Sequence, residues 1–314
     1  MSAALAATTR AGKSGAARAP RVIPGLPLTL GVTLFALTAL VLLPVAALLI
    51  KTTQLSLAVF WATITDPVVV AAYRLTFGAA AAAAACNAVF GLIVAWTLVR
   101  YAFPGRRLLD ALIDFPFALP TAVAGLTFGS LYLPSGWIGG LGDHLGFAIN
   151  AAAQALGAGP LLSPGALGAL NFAYTNTTVG IVLVLIFVGL PFVVRSVQPV
   201  LQDLDAEYEL AAESLGAGPV TVFRRVIFPE IFPAWLSGVS LAFARAIGEY
   251  GSVIFIAGNI PGKSQIAPLQ IVTRLDDFQY AQATAIGVVL LASSLLILLV
   301  LNAFERWVRR RRGA

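Results

Sequence analysis

Long apolar stretches dominate the sequence, and short polar segments separate them. Six stretches are long enough to cross the hydrocarbon core of a bilayer, for which a helix needs about 20 residues. They are residues 28–50, 68–99, 108–133, 178–194, 231–257 and 283–301. None shows the period-two alternation of a barrel strand, and a spanning backbone must satisfy its own hydrogen bonds. The pattern therefore predicts an all-α polytopic membrane protein with six transmembrane helices.

The composition supports this class and excludes several others. The 314 residues are 59% hydrophobic and 11% charged, whereas soluble domains carry about 25% charged residues. One cysteine, Cys86, excludes a disulfide framework, and one histidine, His144, leaves no histidine metal cluster or Ser-His-Asp triad. Residues 11–16, AGKSGA, lack the first glycine of a phosphate-binding loop. We expect no catalytic site, cofactor or metal in this chain.

The basic residues indicate the orientation in the membrane. Fifteen of the 20 Lys and Arg lie in the two tails and in the segments after the second and fourth spans. The positive-inside rule then places both termini in the cytoplasm, as expected for a bacterial inner-membrane protein. Placement at the ends of apolar stretches also argues against a nucleic-acid partner. Because no acid precedes Asp66, a plastid or mitochondrial presequence is the alternative for the N-terminus.

These patterns divide the chain into a basic tail, 1–27, a six-span domain, 28–304, and a second basic tail, 305–314. The outer loop, 134–177, is rich in Gly, Ala and Pro and is expected to hold a short helix at the outer face. Pro116 and Pro120 should bend or break the third span.

The cytoplasmic loop, 198–230, carries an amphipathic segment. Four of its apolar residues share one helical face: Leu204, Tyr208, Ala211 and Leu215. Gly216 is expected to cap this helix in a left-handed conformation, and Gly218-Pro219 to turn the chain into a second short helix towards Val226. Pro229 and Pro233 should then mark the return to the membrane. The apolar stripe favours docking into a groove of another protein, and a solvated amphipathic loop is the alternative.

The segment ELAAESLGAGPVTVFRRVIFP resembles the signature loop of ABC-importer permeases, which is E-A-A, three residues, G, nine residues, I-x-L-P. Leu210, Ala211 and Ala212 take the E-A-A positions, Gly216 is the glycine, and Pro229 is the final proline. The resemblance implies that these residues, with Glu209, dock the ATPase. Because Leu replaces the first Glu, the carboxylate that contacts the ATPase stays open.

Three longer segments resemble the T-type permease subunit of sulfate/thiosulfate ABC importers. They begin FPFALPTAVAGLTFGS, IFVGLPFVVRSVQPVL and FARAIGEYGSVIFIAG. The resemblance implies a type I permease fold with a cytoplasmic coupling helix and import of sulfate, with thiosulfate as a further substrate. It also implies a second, W-type permease, two ATP-binding subunits that use ATP and Mg, and a soluble sulfate- or thiosulfate-binding protein.

Charges within the spans are costly and often functional. Arg245 and Glu249 lie four residues apart on one face near the fifth span. They either line the pathway of a dianion or form an internal ion pair that holds helices together. Asp114, beside the Pro116 bend, would repel an anion and is expected either to orient the cytoplasmic end of its helix or to mark a hydrated surface.

Other transport functions stay open at this point. The same kind of permease would serve molybdate or another oxyanion. An ion-coupled secondary transporter would show inverted repeats, and the two halves of the chain do not match in hydropathy. A membrane-embedded enzyme would need paired carboxylates or a metal set within the spans.

Overall fold

A computed structural model describes residues 26–157 and 159–312. Within these ranges the chain forms fifteen α-helices and no β-strand, which confirms the all-helical prediction. The predicted basic tail 1–27 lies outside the described residues except for residues 26 and 27.

The helices follow one another through short links, and π-helical turns at Thr38–Leu42 and Phe223–Ile227 join some of them. In chain order they are α1 (Leu26–Leu37), α2 (Leu43–Thr52), α3 (Leu57–Ile64), α4 (Pro67–Arg100), α5 (Arg106–Ile113), α6 (Phe115–Ala118), α7 (Thr121–Leu131), α8 (Leu141–Ala155), α9 (Thr178–Asp203), α10 (Ala206–Ser214), α11 (Pro219–Val222), α12 (Phe228–Ile247), α13 (Val253–Ile256), α14 (Ala267–Asp276) and α15 (Tyr280–Arg312).

Five helical runs in the described part of the chain are long and apolar enough to cross a membrane. They are Leu28–Thr52, Pro67–Arg100, Thr178–Asp203, Pro219–Ile247 and Tyr280–Phe304. Each overlaps one of the six predicted spans, and the second matches its prediction within a residue at either end. Asp66 caps the start of α4, where its Oδ1 accepts a hydrogen bond from the Val68 N–H at 2.8 Å.

The third predicted span, 108–133, is not one helix. It is divided into α5, α6 and α7, because Leu119 and Pro120 adopt extended backbone angles that end α6. The apolar helix that remains, Thr121–Leu131, has 11 residues and would be about 16 Å long, half of a bilayer core. The break expected from Pro116 and Pro120 is therefore confirmed, and the prediction that residues 108–133 form a single spanning helix was wrong.

The fifth predicted span, 231–257, has both ends misplaced. Its helix begins at Pro219, runs through the π-helical turn into α12, and ends at Ile247 rather than Ala257. The chain then leaves the helix at Gly248 and resumes it in α13. At this break the side chain of Glu249 accepts a hydrogen bond from the Ser252 N–H at 3.0 Å, which covers a donor that the helix no longer bonds.

Small residues set the packing of α4, α9 and α12. A Cβ added to Gly91 in α4 would lie 2.8 Å from the Cβ of Val193 in α9. A Cβ added to Gly238 in α12 would lie 2.9 Å from the carbonyl oxygen of Phe192, also in α9. Apolar lipid gives helices little reason to associate, so close backbone contact of this kind supplies the attraction. Within residues 48–312, these three helices pack against one another.

The two broken segments pack against each other through glycines. A Cβ at Gly125 in α7 would lie only 2.3 Å from the carbonyl oxygen of Ser252. One turn later, a Cβ at Gly129 would lie 3.2 Å from the carbonyl oxygen of Phe255 in α13. The backbone of α7 therefore covers the irregular backbone next to α13, as a membrane requires of any non-helical segment.

The loop 134–177 contains the short helix that its sequence predicts. This helix, α8, is held by Asn171, whose Oδ1 accepts hydrogen bonds from the N–H groups of Gly142 at 2.8 Å and Asp143 at 3.2 Å. Asn150 binds the backbone N–H and carbonyl of Leu162, both at 2.9 Å, and fixes the other end. The loop is thus an ordered element, and its position at the outer face stays a prediction.

The contact between α7 and Ser252 gives a first prediction. Gly125→Ala should destabilise the protein by about 1–3 kcal/mol, because the added methyl must displace backbone that cannot yield as a side chain would. The lowered melting temperature of the purified protein measures this effect. Gly78→Ala is the matched control, since a Cβ at that position in α4 meets nothing within 4 Å. Equal melting temperatures for the two variants would contradict the packing described.

Candidate functional site

The signature segment lies between α9 and α12 and begins with a separate short helix. After α9 ends at Asp203, Leu204 and Asp205 take extended angles, and α10 starts at Ala206. Asp205 is its N-cap, with Oδ1 accepting from the Glu207 N–H at 3.1 Å. The two-residue link makes α10 an independent element rather than a continuation of α9.

Gly216 ends this helix as its sequence predicts. Its φ angle is +83°, in the left-handed region that favours glycine. Its N–H donates to the Glu213 carbonyl at 2.9 Å, and the Ala217 N–H donates to the Ala212 carbonyl at 3.1 Å. These two bonds form a Schellman cap, which turns the chain sharply after α10.

The second short helix of the segment differs from its prediction. Gly218 and Pro219 do start a helix, α11, but it does not end near Val226. It continues through the π-helical turn into α12, so it is the first turn of the fifth long run. Pro229 therefore lies inside a continuous helical run, and the membrane re-entry expected at Pro229 and Pro233 stays a prediction.

Large apolar side chains of the segment are left exposed. The α10–α11 apolar set is Tyr208, Leu210, Leu215 and Val220, which are 64%, 63%, 88% and 70% exposed. Ala211 is exposed beside them, whereas Ala212 packs against the hydrophobic core. Exposed apolar residues concentrated on one short element indicate an interaction surface. Sequence analysis found Tyr208 and Leu215 by their spacing and missed Val220.

Glu209 points the other way. Its carboxylate forms an ion pair with the guanidinium of Arg100, at the last residue of α4. The Arg100 guanidinium carbon also lies 5.2 Å from the ring centroid of Trp96, one turn earlier on the same helix. Sequence analysis counted Arg100 only as a topology signal and missed this pairing.

A second charged cluster joins α9 to the broken third span. Arg195 in α9 donates two hydrogen bonds to the carboxylate of Asp114, from Nε to Oδ1 at 2.8 Å and from Nη2 to Oδ2 at 2.7 Å. Its Nη1 also donates to Asp110 Oδ1 at 2.8 Å and to Gln198 Oε1 at 2.6 Å, and its Nη2 donates to the Asp110 carbonyl at 2.8 Å. All five guanidinium N–H groups are thereby used. Asp114 thus orients the end of its helix, as expected, through a partner that the sequence did not reveal.

Arg245 and Glu249 form the ion pair that their spacing permits. Arg245 Nη1 lies 2.5 Å from Glu249 Oε2, and Glu249 is 2% exposed. The other carboxylate oxygen accepts hydrogen bonds from Ser252, from N–H at 3.0 Å and Oγ at 2.8 Å. The Arg245 side chain is 36% exposed. Both carboxylate oxygens of Glu249 are therefore bonded, whereas the Arg245 side chain keeps accessible surface.

The described residues contain no cluster of three or more His, Cys, Asp or Glu that would hold a metal ion.

Comparison with known proteins gives consistent relatives. Residues 87–313 match the family model described as the binding-protein-dependent transport system inner membrane component. The sulfate transport system permease protein CysT of Salmonella typhimurium is 45% identical over 291 residues, which cover 93% of this chain and 96% of the relative. The probable sulfate transport system permease protein cysT of Nephroselmis olivacea is 46% identical over 281 residues, 90% of each chain.

A solved structure has a similar fold. A bacterial ABC transporter involved in the import of the acidic polysaccharide alginate superimposes with a TM-score of 0.68 and 13% sequence identity. The superposition covers 90% of this chain and 94% of the other. At this level of identity, the likeness concerns the fold alone.

Proposed function

Because this chain belongs to the family of binding-protein-dependent transport system inner membrane components, we propose that it is the T-type permease subunit of an ATP-driven sulfate importer. One observation carries the proposal. Relatives named as sulfate transport permeases are about 45% identical to the chain over nearly their whole length, not over a shared motif alone.

The proposed topology has six crossings of a bacterial inner membrane. Five are the long helical runs, and the third is made by α5, α6 and α7 together. Both termini are placed in the cytoplasm, because fifteen of the 20 basic residues then lie on that side. The protected contact of α7 with the segment before α13 supports a broken crossing, since irregular backbone is tolerated only inside protein or along a water-filled cavity.

The coupling helix of this permease is α10. Its exposed apolar set suits a groove in an ATP-binding subunit, and the extended link at Leu204 and Asp205 allows the helix to follow that subunit. ATP and Mg are used in those subunits, and this chain supplies the mechanical connection. Closure and opening of the ATPase pair would tilt the spans between outward-open and inward-open arrangements.

The complete importer contains further chains. We propose a second, W-type permease beside this one, two ATP-binding subunits beneath them, and a soluble sulfate- or thiosulfate-binding protein that delivers the anion from outside. The family description, which names a binding-protein-dependent system, supports the soluble partner. The exposed apolar set supports the ATP-binding partner.

Arg245 serves the anion pathway in this proposal. A dianion leaves water at a large cost in free energy, so its route must offer positive charge or hydrogen-bond donors. The Arg245 side chain is 36% exposed beside a break in a membrane helix, and Glu249 also accepts hydrogen bonds from Ser252. The buried carboxylate holds the arginine in place and leaves its remaining N–H groups for a passing oxyanion.

Purification of the protein from its native membrane tests the proposed function. ATP-binding chains and a second permease should co-purify, and in vesicles sulfate-loaded binding protein should stimulate ATP hydrolysis more than molybdate-loaded protein does. If this chain alone, in vesicles, accumulated sulfate on an ion gradient without ATP, it would be a secondary transporter and the proposal would be wrong.

The cap of the coupling helix gives a specific prediction. Gly216→Val should leave the permease in the membrane but lower ATP-dependent sulfate uptake, because a β-branched residue at φ +83° is strained by at least about 1–2 kcal/mol. The neighbouring Gly218 has an ordinary φ of −71° and open space around it, so Gly218→Ala is the matched control. Normal uptake by the Gly216→Val variant would refute the coupling role of this cap.

The Arg245 pair needs two variants to separate its roles. Arg245→Ala alone would leave the buried Glu249 charge without its partner, at a cost of about 3–5 kcal/mol. We therefore compare Glu249→Gln with the double variant Arg245→Ala, Glu249→Gln, in which the amide oxygen still accepts from Ser252. Both should assemble, and only the double variant should lose most of its sulfate uptake. Equal uptake by the two would reduce Arg245 to a structural partner of Glu249.

A further inference from the structure

We propose that Glu209 does not contact the ATP-binding subunit but ties α10 to the end of α4 through Arg100. The inference rests on the proposed function, because it concerns how force reaches the spans. It makes Glu209 and Arg100 positioning residues for transport and assigns the outward contact at this point to Leu210.

The direction of the side chains is the first argument. Glu209 and Arg100 are each only 22% exposed, and they are paired with each other. The sequence neighbours of Glu209 on α10, Tyr208 and Leu210, are nearly three times as exposed. A docking contact must be reachable from outside, and Tyr208 and Leu210 are far more reachable than Glu209 between them.

The surroundings of Arg100 are the second argument. Trp96 lies beneath its guanidinium, and the edge of the Trp96 ring packs against Phe223, with centroids 5.5 Å apart. Phe223 begins the π-helical turn that leads into α12. The Nε of Arg100 is buried and has no hydrogen-bond partner among the described residues, so the guanidinium is held inside rather than directed to water. One joint therefore connects α10, α4 and the start of α12.

The third argument is how loosely α10 is otherwise attached. A cavity of about 620 Å³ lies beside it, between the end of α9 and the first turns of the α12 run. Its lining consists of Val200, Asp203, Leu204, Asp205, Tyr208, Arg225, Val226 and Glu230. The helix has a two-residue link at one end and small apolar contacts through Ala212 and Ala217 at the other. The ion pair is the one polar tie to α4 found among the described residues.

The Arg100–Glu209 ion pair defines how a movement of α10 is transmitted to α4. A push on the α10–α11 apolar set would swing α10 over the cavity, and the Arg100 pair would carry that displacement to α4. With 34 residues, α4 is longer than any other helix described, and it packs tightly against α9 through Gly91. Packed helices of this kind shift as rigid bodies, so a small displacement at Arg100 reaches the bundle.

A double-mutant cycle in the complete complex tests the tie. Glu209→Gln and Arg100→Gln should each lower binding-protein-stimulated ATP hydrolysis by about three- to tenfold, and the double variant should be no worse than either. In all three, the ATP-binding subunits should co-purify in wild-type proportion. The exchange variant, Arg100→Glu with Glu209→Arg, should recover part of the loss, which a purely local packing effect would not.

A control variant and three contrary outcomes complete the test of the Arg100–Glu209 tie. Glu207→Gln removes an exposed carboxylate from the same helix and should change neither hydrolysis nor co-purification. If Glu209→Gln released the ATP-binding subunits while Arg100→Gln retained them, Glu209 would be a docking contact and the tie would be wrong. If a single variant failed to reach the membrane, recovery by the exchange variant would support the tie, and continued failure would overturn it. A wild-type complex without ATP-binding subunits would instead refute the proposed function.

Discussion

A chain that crosses hydrocarbon must cover every peptide group that leaves a helix, and the rest of this structure follows from that constraint. Two of its segments leave the helix within apolar sequence, one after α6 and one after α12. They meet where Gly125 and Gly129 bring the backbone of α7 onto that of Ser252 and Phe255. The backbone of α7 thereby covers part of the segment after α12, and the absence of a side chain at two positions makes the contact possible.

Sequence patterns located elements well where the signal is local. The glycine cap at Gly216 follows from the stereochemistry of one residue. Hydropathy placed the end of the fifth span too far along the chain, because it measures how apolar the side chains are and not how the backbone is hydrogen-bonded. The apolar residues Ile254 and Phe255 extend the hydropathy signal beyond the end of the helix. Before them, the Ser252 N–H already donates to the Glu249 side chain and not to a helical carbonyl.

The charged contacts of the candidate site were beyond the reach of one sequence. Arg100 and Glu209 are 109 positions apart, and Arg195 and Asp114 are 81 apart. No periodicity links residues so distant, so their partnership appears only when the helices are placed. Arg245 and Glu249 were recognised in advance because one helical turn separates them. Long-range pairs join the helices, whereas the pair that the sequence could reveal lies within a single helix and its end.

The exposed side chains of α10 and α11 also affect how stable the newly made chain is in the cell before it assembles with other subunits. Leu215, at 88% exposure, with Tyr208, Leu210 and Val220, forms an exposed apolar surface, which the proposed function assigns to contact with an ATP-binding subunit. Chaperones and quality-control proteases recognise such surfaces on orphan subunits. Under the proposed function, synthesis of this chain in excess over the ATP-binding subunits would leave the α10–α11 apolar set uncovered. The exposed set therefore favours balanced expression of the component chains.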